Sequence, residues 1–232
     1  MQQRDTVSTR KTEVVLPAAG VFLEGTLSVP DGAYGVVAFA HGSGSSRFSR
    51  RNQWVAQQLN DAGLATLLLD LLTSDENERD AVTAKYRFDI SLLAGRMSEA
   101  VDWLAREPST HALPVALFGA STGAAAALIA AAERPGRVKA VVSRGGRPDL
   151  ADGALPHVRA PTLLIVGGQD TQVIAMNRDA ASQLTCSRQL TIVPGATHLF
   201  EEAGALERVA ALAEEWIRLH LGERRHLTAD QR

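Results

Sequence analysis

The chain has almost nothing with which to cross-link itself. One cysteine, Cys186, stands among 232 residues, so no intrachain disulfide can form and no cysteine pair offers a metal site. Charge of one sign is also missing: 24 Lys plus Arg against 26 Asp plus Glu leave a formal charge of -2, and no basic stripe stands out. Nucleic-acid and anionic-membrane binding thereby lose their electrostatic motive. No run approaches about 18 apolar residues, so no segment is expected to span a bilayer. The polar stretch Met1–Thr12 has no apolar core of the signal-peptide kind, and a reducing cytoplasm is the expected compartment. Aromatics make up only 5%, while alanine and leucine are abundant and apolar runs are short. That mix suits alternating strands and helices better than an all-β sandwich. A chain of this length buries roughly 70% of its unfolded surface, enough for a core without disulfides or metals.

Six apolar runs, each closed by Gly, Pro or Asp, read as strands: Val36–Ala40, Ala65–Leu71, Val115–Phe118, Ala140–Ser143, Thr162–Val166 and Gln189–Val193. Their near-continuous hydrophobicity is what a parallel sheet buried on both faces requires. Thr12–Leu16 and Val21–Val29 alternate instead, and Pro30-Asp31-Gly32 follows as a turn, which predicts an antiparallel edge ribbon. Ile90, Leu93, Met97, Val101 and Leu104 keep helical spacing, as do Leu206, Val209, Ala213, Trp216 and Leu219–Leu221. These signals predict an α/β fold, an eight-stranded mostly parallel sheet with helices on both faces. Residues 11–221 form a single expected domain, with a disordered N-terminus at 1–10 and a frayed tail at 222–232. Trp54, Trp103 and Trp216 fall on helix-like segments and are expected in the core.

The sharpest local feature is Gly119-Ala120-Ser121-Thr122-Gly123. Gly-x-Ser-x-Gly is weak by itself, but here a buried-strand pattern precedes it, and a helix pattern, Ala124–Glu133, follows and stops at Pro135-Gly136. A serine at such a corner takes a strained backbone conformation that lifts its hydroxyl over the sheet edge, and the Thr122 N–H points to the same spot. Serine needs a base. His111 and His157 precede strands, at the far end of the sheet, and His220 and His226 lie in the last helix and tail. His41 and His198 follow strands, at the carboxyl edge where such sheets place their sites. His198 ends the loop Val193-Pro194-Gly195-Ala196-Thr197-His198 and suits a general base, while His41 opens a glycine loop and reads as a structural hydrogen-bonder. Asp170, directly after the Thr162–Val166 strand, is placed to orient His198, with Asp149 and Asp152 as alternatives. In His41-Gly42-Ser43-Gly44-Ser45-Ser46 the glycines let the backbone curl so that the Ser43 N–H joins that of Thr122 in an oxyanion hole. A dinucleotide loop is the competing reading, but Arg47 stands where the third glycine belongs. No phosphate-loop or zinc motif is present, so no metal and no cofactor are expected.

Together the His41 loop, the Ser121 elbow, Asp170 and His198 resemble those of the α/β-hydrolases, and within them the dienelactone hydrolase family, over about Thr12 to Leu221. The resemblance implies that the Val21 strand runs antiparallel to the other seven. The family's nucleophile is often cysteine, and serine at 121 points toward a general serine esterase. Capped members carry a helical lid after the strand matching Ala140–Ser143; here only Arg144–Ala160 intervenes, too short for a cap domain, and an open site is expected. Arg144, at the end of its strand, has two readings, a clamp for a substrate carboxylate or half of a structural ion pair. Thr73–Asp89 reads as a solvated loop from which Arg87 and Phe88 reach toward the pocket, and Gly44 is a further candidate contact.

The expected activity is a cofactor-free serine hydrolase of small esters or lactones, monomeric or homodimeric, with no nucleic-acid or membrane partner. The rival from another class is a non-catalytic scaffold for binding or regulation. A perhydrolase or lyase on the same triad is a second enzyme reading.

Overall fold

The computed structural model describes residues 8–18 and 20–222. Its strands are β1 (Thr9–Ala18), β2 (Val21–Pro30), β3 (Val36–Ala40), β4 (Ala65–Leu69), β5 (Val115–Ala120), β6 (Val138–Arg144), β7 (Thr162–Gly167) and β8 (Arg188–Val193). They form one sheet in the order β1-β2-β4-β3-β5-β6-β7-β8. β2 pairs antiparallel with both β1 and β4, and every other pairing is parallel, so β2 alone runs against the other seven. The central strands β3, β4, β5 and β7 are buried at every position, as their mostly apolar sequences require, whereas β1 exposes most of its length.

Helices cover both faces. α1 (Arg50–Asp61) and α6 (Ala205–Leu221) pack on one, around Val37, Phe39, Phe118, Val142 and Ile165. On the other lie α3 (Ile90–Leu104), α4 (Thr122–Glu133) and α5 (Thr171–Gln183), around Val36, Ala38, Leu117, Val141 and Leu164. α4 is almost wholly buried, and its run of alanines lets it sit close to the sheet beneath α3. Trp216 is buried, and Trp54 and Trp103 pack half-buried against the two clusters.

Two expectations need correction. The segment 73–89 is not a loop throughout, because Ser74–Thr83 forms a helix, α2. Its start is a complete capping box in which Thr73 and Glu76 satisfy each other's backbone N–H groups. β1 begins at Thr9, three residues before the alternating stretch, so Thr9 and Arg10 belong to the strand rather than to a frayed end; they pair with Pro30 and Val29. The rest of the expected tails, 1–7 and 223–232, lies outside the described residues. Between β6 and β7 the chain makes only a 3-10 segment, Pro148–His157, and builds no cap. No helix among the described residues is long and apolar enough to cross a membrane.

Candidate active site

Ser121 joins β5 to α4 with φ 51° and ψ -123°, a backbone conformation costly for a residue with a Cβ. Its neighbours make the corner possible. A Cβ on Gly119 would stand 2.7 Å from both Ala124 N and Gly123 O, and one on Gly123 would stand 2.5 Å from His41 O, so only glycine lets strand, helix and His41 loop meet there. The Ser121 carbonyl is held by the N–H groups of Ala124, at 3.1 Å, and Arg147, at 3.0 Å.

His198 and Asp170, 28 positions apart, meet at the carboxyl edge, with Nδ1 and Oδ2 2.6 Å apart. A carboxylate accepts, so Nδ1 carries the proton and Nε2 keeps its lone pair. Gly145 lies against the base, since a Cβ there would be 3.5 Å from His198 Cε1. The Ser121 hydroxyl makes no hydrogen bond to the imidazole among the described residues; contacts of this kind often close only around a substrate. Asp149, one of the alternative acids, is held by Arg147 at 2.7 Å, and Asp152 lies exposed in the 3-10 segment at φ 35°.

Thr122 opens α4, so its N–H has no intrahelical acceptor. Ser43 is placed across from it, and its N–H donates to Thr122 Oγ1 at 2.9 Å. The Thr122 side chain was not singled out by sequence, since a hydroxyl 79 positions from its partner carries no local signal.

His41 is structural, as its place in the loop suggested. Leu71 N–H donates to Nε2 at 3.0 Å, which leaves the proton on Nδ1, 2.9 Å from the Gly42 carbonyl. Burial pushes its pKa down, keeping the ring neutral. The same Leu71 offers its carbonyl to Arg96 Nη1 at 2.7 Å, and Arg96 holds both oxygens of Glu76 at 2.7 Å. The His41 loop, α2 and α3 are thus tied together.

Arg87 is bound to Asp80, Nε to Oδ2 at 2.5 Å and Nη2 to the carbonyl at 2.6 Å. Its Nη1 faces Gly44, 3.8 Å from where a Cβ would stand. Between them opens a groove of about 670 Å³, bordered also by Ser45, Phe48 and Ala81. Phe88 is exposed and does not line that groove. Arg144 lies buried at the end of β6 with Nη2 donating to Asn52 Oδ1 at 3.3 Å. Asn52, from the first turn of α1, is a contact that sequence reading did not find.

Two Mycobacterium tuberculosis proteins, from strains H37Rv and CDC 1551, are 56% identical over 212 residues, 91% of this chain, and their names assign them provisionally as phosphoribosyl transferases. The chain spans 47% of their length, about half. A crystal structure named dienelactone hydrolase, from Anabaena variabilis, is 60% identical and superposes with a TM-score of 0.91 over 92% of this chain and 99% of that one. Est1E from Butyrivibrio proteoclasticus, 18% identical, shares the fold at a TM-score of 0.75 over 90% of this chain and 98% of its own. The dienelactone hydrolase family pattern matches residues 23–220, and with the Ser121 elbow standing beside a formed His198–Asp170 pair, the chain belongs to the dienelactone hydrolase family of α/β-hydrolases.

Proposed function

We propose that this protein is a serine hydrolase of small carboxylic esters or lactones, working through an acyl-enzyme on Ser121. The observation that carries the reading is the strained Ser121 backbone at the same sheet edge as the 2.6 Å His198–Asp170 bond. Strain of this kind persists where the surroundings over-determine it, and it exposes the hydroxyl for attack.

In this mechanism His198 Nε2 takes the Ser121 proton as Oγ attacks the carbonyl carbon, and Asp170 stabilises the imidazolium that results. The Thr122 and Ser43 N–H groups receive the oxyanion, that of Ser43 turning from the Thr122 hydroxyl to do so. The tetrahedral intermediate collapses, His198 protonates the departing alcohol, and water, deprotonated by His198, releases the acid. Gly44 and Arg87 border the groove that accommodates the remainder of the substrate. The transferase name belongs to proteins about twice as long as this chain and is not carried over to it.

A fluorophosphonate added to the native protein tests the reading: a mass increase localised to Ser121, absent in Ser121→Ala, is expected. Unlabelled native protein would point instead to a non-catalytic scaffold. Perhydrolysis and lyase activity are checked by adding peroxide or by product analysis on the same esters.

A further inference from the structure

Thr122 is 4% exposed, and its hydroxyl is engaged on one side only. Oγ1 accepts the Ser43 N–H at 2.9 Å, and among the described residues its own O–H has no acceptor. A hydroxyl donates once as well as accepting, so a proton is left over at this point. Inside a helix a threonine commonly gives that proton to the carbonyl four residues back. Thr122 is the first residue of α4, and the carbonyl at that distance belongs to Phe118, in strand β5. The place of the hydroxyl matters as much as its freedom. A Cβ on Gly42 would stand 3.1 Å from Ser121 Cβ and 3.8 Å from its Oγ, so the loop that carries Ser43 to Thr122 passes directly against the Ser121 hydroxyl. The first turn of α4 holds no acidic residue, which leaves the positive end of its dipole facing the same spot.

On the ester-hydrolase reading, an oxyanion that takes the N–H groups of Ser43 and Thr122 is a neighbour of Oγ1. One N–H serves both oxygens in turn, and Thr122 itself carries the other N–H together with the hydroxyl. An alkoxide oxygen has three lone pairs, and two N–H groups fill two of them. When the Ser43 N–H turns to the oxyanion, the buried Thr122 hydroxyl loses its one partner, which is costly unless another replaces it. The oxyanion is that replacement: an O–H donated to a charged oxygen is shorter and stronger than a neutral bond. The uncharged carbonyl of the bound substrate offers far less, so the bond belongs to the transition state and acts on kcat rather than KM.

We propose that the Thr122 hydroxyl is a third oxyanion donor, a catalytic side chain beside the two main-chain N–H groups. The assignment rests on the hydrolase reading of Ser121. At rest Oγ1 holds the Ser43 N–H. As Ser121 Oγ bonds the carbonyl carbon and the carbonyl π pair moves to oxygen, His198 Nε2 takes the serine proton, and the Thr122 O–H turns onto the oxyanion while keeping its own proton. Collapse returns the electron pair to the carbonyl, the alcohol leaves with the proton from His198, and the resting bond forms again. The bond between Ser43 and Thr122 is thus a placeholder that satisfies both groups until charge develops.

The test uses nitrophenyl acetate as substrate and trifluoroacetone as inhibitor, whose hemiketal on Ser121 carries an oxyanion. Thr122→Val, checked for folding by circular dichroism, is expected to lower kcat by about 10²-fold with KM little changed, and to weaken inhibition by trifluoroacetone by a similar factor. Thr122→Ser keeps the hydroxyl and should recover most of both. If the hydroxyl only occupies the Ser43 N–H, its removal frees that donor and kcat holds or rises. Should the valine variant fail to fold, the crystal structure of the wild-type trifluoroacetone adduct decides: Thr122 Oγ1 is expected about 2.6 Å from the hemiketal oxygen, and a separation above about 3.5 Å overturns the proposal. An equal or higher kcat in folded Thr122→Val, or a serine variant as slow as the valine one, overturns it as well. Fluorophosphonate labelling of wild-type Ser121 reports separately on the hydrolase reading. A labelled wild type whose valine variant keeps its kcat fails only the Thr122 assignment, whereas an unlabelled wild type fails both.

Discussion

The main-chain N–H of Ser43 donates to the side-chain oxygen of Thr122 at 2.9 Å, so one of the two proposed oxyanion donors is occupied by the protein's own hydroxyl before substrate arrives. The bond joins the His41 loop to the first residue of α4. Thr122 is buried, and Thr122→Val keeps its shape while orphaning the Ser43 N–H. A loss of about 1–2 kcal/mol is expected, seen as a fall in Tm of about 3–6 °C for a chain of this size. An unchanged Tm by calorimetry would show that the bond does not hold the loop.

In the proposed mechanism Ser121, His198 and Asp170 act as a unit, so their substitutions should fail together. Ser121→Ala and His198→Ala are each expected to lower kcat on nitrophenyl acetate by about 10³-fold or more, and Asp170→Asn by a similar factor because the amide carries no charge and can donate to Nδ1, favouring the wrong imidazole tautomer. The double variant Ser121→Ala/His198→Ala should be no slower than either single one. Additive losses would mean that the two residues serve different steps.

Glu76 is held below its ordinary carboxylate range chiefly by its hydrogen bonds with Arg96. A depressed acid contributes stability that is complete above its unfolded pKa and is lost as pH falls through the folded one. With the ordinary value at 4.5, the contribution is full at pH 7 and fades below about pH 4.5. Glu76→Gln leaves the Arg96 charge buried without its anion, at a cost of about 2–3 kcal/mol given the partial exposure of Glu76. Urea unfolding at pH 7 should separate the variant from the wild type, and the two should converge toward pH 3.

Arg144 illustrates the opposite sign. Its charged form is disfavoured by burial, so it weakens the fold throughout the range below its lowered pKa of about 10, and the penalty is relieved only at higher pH. Arg144→Met removes the buried charge and is expected to raise Tm by about 3–6 °C, equivalent to about 1–2 kcal/mol. A variant that melts lower than wild type would show that the arginine is a structural support.

Most of the sheet was legible because strands buried on both faces announce themselves as apolar runs; β3 runs from Val36 to Ala40, as its sequence suggests. β1 was shortened because Thr9, Arg10 and Lys11 are exposed and enter the strand through backbone pairing alone, which polar side chains do not signal. α2 was missed for a related reason. Its sequence, SDENERDAVT, presents no apolar face, and its helix is secured by a cap and by Arg96, 20 positions from Glu76. That Ser121, Asp170 and His198 stand together at the carboxyl edge was readable from the strand ends they follow. The isolation of Arg144 was not, because whether a carboxylate approaches a given arginine is decided by residues such as Asn52, 92 positions away.

Leu71 receives Arg96 on its carbonyl and gives its N–H to His41, so a single residue's main chain stands between the His41 loop and the α2–α3 strut. Such a junction makes the two sides one cooperative unit for local unfolding. Amide hydrogens of the His41 loop and of the capped start of α2 should therefore exchange with solvent at a common rate, and a disturbance on the outer surface of α2 should be felt at Ser121 as a loss of rigidity, without any contact between them.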